Sequence, residues 1–306
     1  MNSVLVTGSK GFLGSAIVRA IARTLPDFTI LNPSRSELDL ENLDQVRDYW
    51  KLNKPTHLIH AAAFARGLGG NIEAREIAFI RNEAVVRTPL LAALEFGAKS
   101  VIFCGTVAEY GFPYAELPLR ETSLFDGPPH IGERYYGLAK RGAQTYLAAI
   151  DEKWGKISTH ALLTNLYGPG DRFDAASGHV IPSMLLNFAN ARKTDMDSIV
   201  LWGVPETTRD FLYVEDAAAA LVALLSADAD IVNVASGIET SMGEVASLIK
   251  EKTKFSGDIH WDASKPIGIP NRSVDISLLK SAITFTPVTL GQGISRTLEV
   301  EAWIGQ

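Results

Sequence analysis

Val4-Leu5-Val6-Thr7-Gly8-Ser9-Lys10-Gly11-Phe12-Leu13-Gly14 stands near the N-terminus, and its reading decides the fold. Val4–Thr7 reads as a short buried strand, and Phe12–Leu25 as an apolar helix stopped by Pro26. Between them, glycines spaced Gly-x-x-Gly-x-x-Gly permit a tight turn and a close backbone approach to a ligand. A helix N-terminus placed just after such a turn favours phosphate. Gly8, Lys10, Gly11, Phe12, Leu13 and Gly14 are therefore expected to cradle a dinucleotide pyrophosphate.

The strand–helix alternation continues. Strands are expected at Phe28–Leu31, Thr56–His60, Val101–Cys104 and Thr159–Thr164. Helices are expected at Leu43–Leu52, Ile77–Phe96 (with Pro89 a kink or boundary) and Glu133–Trp154. After Gly168-Pro169-Gly170 the rhythm breaks into shorter pieces. Phe211–Leu225 reads as a strand edge and helix of the first sheet, Ile231–Val234 as its last strand, and Asp258–Trp261 as a strand farther on. The expected fold is α/β, a Rossmann-type doubly wound parallel sheet with a smaller α+β substrate-binding domain. Residues 1–166 and 211–236 would form the cofactor domain, and 167–210 with 237–306 the substrate domain.

The second strand ends Leu31-Asn32-Pro33-Ser34-Arg35, without the carboxylate that holds the ribose hydroxyls in NAD sites. Arg35 and Lys10 are instead suited to a 2′-phosphate, so NADP is favoured over NAD. Asp39 argues the other way, because a slightly longer strand would bring it to the ribose. Tyr136 and Lys140 lie four residues apart on one helix face. A phenol works as acid or base near neutral pH only when a neighbouring cation lowers its pKa, and Lys140 is placed to do so. Thr106, ending an earlier strand where open α/β sheets bind ligands, offers a hydroxyl to a substrate carbonyl. Tyr135 points about 100° away around the helix.

Composition sets the bounds. The chain has 306 residues, 46% hydrophobic and 21% charged, as an ordinary globular protein has. A formal charge of −6 argues against nucleic acid or an anionic membrane as partner. The single cysteine, Cys104, excludes an internal disulfide and fits a reducing, cytoplasmic setting. A strand signal beginning at Ser3 leaves no expectation of a leader, and no run is apolar enough to span a bilayer.

With these residues in view, the chain resembles the extended short-chain dehydrogenases/reductases of the nucleotide-sugar epimerase/dehydratase family. It is most similar to the branch that epimerises and reduces a GDP-linked 4-keto-6-deoxymannose with NADPH. The likeness runs through His60-Ala61-Ala62-Ala63, Asn82, Tyr136-x-x-x-Lys140 and Thr164-Asn165-Leu166-Tyr167-Gly168-Pro169. It continues in Ser177-Gly178-His179-Val180-Ile181-Pro182, Leu201-Trp202-Gly203, Arg209–Asp216 and Asp262-Ala263-Ser264-Lys265-Pro266. The resemblance implies that Ala61, Ala62, Ala63 and Asn82 serve the cofactor and that Thr164, Asn165 and Leu166 hold its nicotinamide end. It implies a nucleotide-diphosphate sugar as substrate, with Val180, Trp202, Arg209, Lys265 and Arg272 in its pocket and His179 beside the reacting carbons. Arginines suit a diphosphate and an indole suits a base. The bland alternatives are a core Trp202, a salt-bridged Arg209 and a turn residue at Asn165. It also implies a homodimer through the helices at Ile77–Phe96 and Glu133–Trp154, with Leu90, Leu91, Leu94, Leu147 and Ile150 facing either the partner or the sheet. No metal is implied.

One departure bears on mechanism. In that branch a cysteine stands two residues after the catalytic hydroxyl and shuttles protons with the histidine; here the position is Ala108. Sugar dehydratases carry Asp-Glu directly after the threonine, where this chain has Val107-Ala108, with Glu109 one position late. Reduction of a 4-keto sugar without epimerisation is the leading expectation. An NAD-dependent sugar 4-epimerase and a non-catalytic NADP sensor are the alternatives.

Overall fold

The protein is described from a computed structural model covering residues 2–64, 75–174, 178–265 and 268–301. Ser177 and Pro266, named above within motifs, lie outside the described residues. Strands are β1 Ser3–Thr7, β2 Thr29–Leu31, β3 His57–His60, β4 Ser100–Thr106, β5 Ser158–Leu163, β6 Asn165–Tyr167, β7 Ser198–Trp202, β8 Thr208–Tyr213, β9 Ile231–Val234, β10 Glu239–Ser241 and β11 Asp258–Asp262. The helices that matter below are α1 Phe12–Thr24, α2 Leu43–Asn53, α3 Arg75–Phe96, α4 Arg134–Arg141, α5 Ala143–Trp154, α6 Val180–Lys193 and α7 Val214–Leu224.

Six strands form a parallel sheet in the order β2-β1-β3-β4-β5-β9. β1, β3, β4 and β5 are buried almost throughout, as strands covered on both faces must be. One face packs Ile17 and Ile21 of α1 with Ala217 and Leu221 of α7. The other packs Val46 and Trp50 of α2, Leu90 of α3, and Leu147 and Ile150 of α5. Leu90, Leu147 and Ile150 thus serve the sheet, with Leu94 packed beside them. The strand order reverses between β1 and β3, which opens the crevice where such sheets take ligands.

A second core gathers Ile181, Leu185 and Phe188 of α6 with Phe211, Tyr213, Val245 and Ile249. It lies against a three-stranded sheet, β10-β8-β6, and a parallel pair, β11-β7. Two expectations need correction. The strand entering Phe211 belongs to this smaller sheet, because Asn165–Tyr167 pairs with Phe211–Tyr213 and leaves β9 to border β5. The helix expected over Glu133–Trp154 is two helices, α4 and α5, stepped at Gly142 where Thr145 N donates to Gly142 O. Pro89 does not end α3, which runs through it to Phe96. No helix among the described residues is long and apolar enough to cross a membrane.

Candidate active site

A single cavity of about 850 Å³ runs from the glycine turn to the smaller core, lined from the C-terminal ends of β1, β3, β4 and β5. That volume suits a dinucleotide and a second ligand in line better than one small metabolite. At its start Gly8 takes φ +71°, and a Cβ there would meet Ala62 Cα at 2.8 Å. A Cβ on Gly14 would stand 2.0 Å from Gly8 O. The turn closes through Gly11 N donating to Gly8 O at 2.9 Å, and Ser9 Oγ ties it to Asn32 O at 3.1 Å. Backbone thus approaches backbone with no side chain between, at the N-terminus of α1. That is the cradle a pyrophosphate needs, and the residues present fit a dinucleotide.

Three side chains converge at the middle of the cavity. Lys140, only 3% exposed, donates from Nζ to Cys104 O. Its Nζ stands 5.6 Å from the Tyr136 ring centre and 5.2 Å from that of Phe103. Thr106 ends β4 with its hydroxyl oxygen accepting Ala108 N–H at 3.3 Å. Tyr136, Lys140 and Thr106 all line the cavity, whereas Tyr135 is exposed and does not. Burial pushes the Cys104 thiol up to about 12, against a smaller opposing pull from Lys140, so that thiol is inert. Behind them His60 accepts the Thr7 hydroxyl or donates to it (2.6 Å), and burial, then Lys140, push its pKa down to about 3. It is a neutral structural histidine.

Sequence reasoning passed over the support for Thr106. Glu109 Oε1 accepts Thr106 N–H at 2.8 Å in a capping box, and Glu109 Oε2 lies 3.1 Å from His160 Nε2. Neither side chain is exposed. Glu109, out of register for a dehydratase acid, instead fixes the end of β4.

Farther along, Val180, His179, Trp202, Arg209 and Arg272 line the cavity. Trp202 is 67% exposed, which rules out the core reading; Lys265 does not line the cavity but lies over the indole at 5.3 Å. Arg209 donates to Thr208 O at 2.7 Å and has no carboxylate partner among the described residues. Burial first, then Arg272, push it down to about 10, so it stays cationic. Burial would also lower Arg272, but Glu133 (2.5 Å) and the Tyr114 hydroxyl (2.7 Å) hold it above the usual range. Glu133 also lines the cavity and was not singled out from the sequence; its signal was only its place three residues before Tyr136. His179 Nδ1 lies 2.9 Å from Asp171 Oδ1, and that hydrogen bond raises the imidazole pKa, against a smaller effect of burial.

Ala61 to Ala63 and Thr164 to Leu166 line the cavity from the ends of β3 and β5. Thr164 Oγ1 and Asn165 Nδ2 both donate to Asp210 O at 3.0 Å, which joins the two sheets here. Asn82 is the exception. It is fully buried and off the cavity, its amide spent on Phe64 N, Phe64 O and Ala78 O. It shapes the cofactor end through Phe64 rather than by contact. Arg35 and Asp39 do line that end, but Asp39 Oδ1 accepts Glu41 N–H at 3.0 Å. No group of three or more His, Cys, Asp or Glu side chains suited to a metal occurs among the described residues.

Residues 4–235 match the NAD dependent epimerase/dehydratase family, and the chain belongs to that family. GDP-L-fucose synthase 1 of Arabidopsis thaliana is 34% identical over 303 residues, covering 97% of this chain and 92% of that protein. GDP-L-fucose synthase of Sinorhizobium fredii is 32% identical over 299 residues, 97% of this chain and 94% of the relative. In structure, GDP-L-fucose synthetase from Naegleria fowleri bound to NADP superposes with a TM-score of 0.88 at 26% identity, over 99% of this chain and 94% of that one. The protein is accordingly an NAD(P)-dependent enzyme of the short-chain dehydrogenase/reductase type.

Proposed function

We propose that the protein reduces the 4-keto group of a GDP-linked 4-keto-6-deoxy sugar with NADPH, leaving the neighbouring carbons uninverted. The observation that carries this is the shared cavity: Thr106, Tyr136 and Lys140 line it together with the glycine cradle, the half-buried Arg209 and the buried Arg272. The two arginines suit a diphosphate, and Trp202 with Lys265 beside it suits a base at the rim. The relatives' names supply the GDP-sugar, and the Naegleria fowleri enzyme's bound ligand supports NADP.

In this reading the nicotinamide, when bound, supplies the hydride. The rest falls to side chains of the chain. Thr106 Oγ1 donates to the ketone oxygen and orients it. Tyr136 hands its phenolic proton to the same oxygen as the alcohol forms. Lys140, held by Cys104 O, sets its side-chain nitrogen 5.6 Å from the Tyr136 ring centre and serves the nicotinamide ribose. Ala61 to Ala63 and Thr164 to Leu166 flank the cofactor. Arg209 and Arg272 hold the diphosphate, and His179 positions the sugar.

Inversion beside a ketone takes an acid and a base on opposite faces of the ring. His179 serves one face; Ala108 has no titratable atom for the other. In D₂O, with GDP-4-keto-6-deoxymannose, the reduced sugar should carry no deuterium at C3 or C5 above a control without enzyme. A second reading, the epimerase-reductase, draws on His130, which lines the same cavity with Nδ1 accepting Gly132 N–H at 3.3 Å and Nε2 left for substrate. Enzyme-dependent deuterium at both carbons, lost in His130→Ala, would establish that reading and overturn the first.

A homodimer through α3 and α4–α5 belongs to the same proposal. Ile77, Ile80 and Leu138 remain exposed on these helices after the core is formed. A monomer mass by light scattering at micromolar concentration would refute it.

A further inference from the structure

The cofactor end of the cavity holds a charge cluster that the glycine motif does not account for. Arg81, from α3, donates to Glu41 Oε1 from Nε at 3.1 Å and Nη2 at 2.7 Å. Arg35, from the loop after β2, donates to that same oxygen from Nη2 at 3.0 Å. The Arg81 guanidinium lies over the Phe64 ring, 4.2 Å from its centre, and Phe64 is itself pinned by Asn82. Glu41 is fixed from behind, since its backbone N–H is bound by Asp39. Arg35, Asp39, Glu41, Phe64 and Arg81 all line the cavity that holds Gly8 to Gly14.

Two guanidiniums from separate segments thus point at one carboxylate oxygen. Side by side, without a shared anion, they would repel. Glu41 is about one-third exposed, and an ion pair in that setting is weak and screened. A phosphate monoester carries nearly twice the charge of a carboxylate and offers three acceptor oxygens. It can give each guanidinium an oxygen of its own, in the two-pronged geometry that arginine favours.

We infer that Glu41 stands in for the cofactor's 2′-phosphate, and that Arg81, with Arg35, is a ligand of that phosphate. Glu41 keeps the two arginines converged and competes with the phosphate for them. The chain therefore sets its preference between NADPH and NADH through the Glu41–Arg81 pair as well as through Arg35. Lys10, at the glycine turn, adds charge nearby, and Glu37, held by Ser34 N–H at 2.7 Å, subtracts it. The inference rests on the NADPH reading above.

The test is direct titration of the full chain with NADPH and with NADH, followed by tryptophan fluorescence and calorimetry, with no sugar present. Arg81→Ala should weaken NADPH about tenfold or more, the loss of a charge-assisted contact, and NADH less than about twofold. Glu41→Gln should tighten NADPH severalfold and leave NADH unchanged. A wild type that binds NADH as well as NADPH, with Arg35→Ala indifferent to both, would sink the NADPH reading itself. A wild type that prefers NADPH through Arg35, while Arg81→Ala weakens both cofactors equally and Glu41→Gln leaves their ratio unmoved, would overturn this inference alone. If Arg81→Ala does not fold, Arg81→Gln and Glu41→Gln carry the same comparison.

Discussion

Glu109 Oε2 and His160 Nε2 stand 3.1 Å apart, neither exposed, where a Cβ on Gly105 would come within 2.4 Å of the imidazole. The penultimate residue of β4 must therefore be glycine, and the N–H of Thr106, which ends the strand, is held by Glu109. Glu109→Ala would leave the Thr106 N–H without its acceptor. A loss of about 1–3 kcal/mol is expected, the cost of leaving a buried donor without its acceptor. Glu109→Gln keeps an acceptor for Thr106 and should cost much less. Urea melts of the two variants check this, and equal losses would show that the carboxylate's place matters only as volume.

Tyr136→Phe should lower ketone reduction by roughly 10²–10⁴-fold, the usual worth of a positioned proton donor. NADPH affinity should stay within about twofold, since the ring remains and only the hydroxyl is lost. Lys140→Met should harm both, because its ammonium also holds Cys104 O at the end of β4. Steady-state rates beside cofactor titrations separate the two patterns.

Asp171 raises the His179 pKa, so Asp171→Asn should lower it toward the ordinary imidazole value, as read by NMR titration. The linkage has a definite sign. A folded pKa above the unfolded one stabilises the fold fully below the unfolded value, and the contribution fades as pH rises through the folded pKa. The variant's deficit should therefore be present in mild acid and vanish at alkaline pH. A deficit that grows with pH would contradict the pairing.

Gly14→Ala places a methyl 2.0 Å from Gly8 O, where backbone, not a yielding side chain, stands. The variant should lose dinucleotide binding in calorimetry and melt earlier. Gly127→Ala is the control: no atom lies within 4 Å of its Cβ position, and only its φ of +104° resists substitution. Its melting temperature should fall, but cofactor affinity should hold.

The glycine turn between β1 and α1, and Tyr136 and Lys140 one turn apart on a helix, were legible in the chain alone. Each is a local pattern, in which a spacing of three or four residues is itself the geometry. The alternation of strands and helices was legible for the same reason, since period and punctuation are local. Partnership between distant segments was not. Glu41 meets Arg81 across 40 positions, and Glu133 meets Arg272 across 139. β8 joined the smaller sheet because Asn165–Tyr167, a strand too short to show a period, offered it an edge. Asn82 stood in a recognisable motif, yet its amide turned to Phe64; the Thr106–Glu109 capping box was local, but His160 came beside Glu109 only when β5 laid it opposite Phe103. Sheet register and packing choose such partners among many chemically equal candidates, and neither is encoded in any single window of sequence.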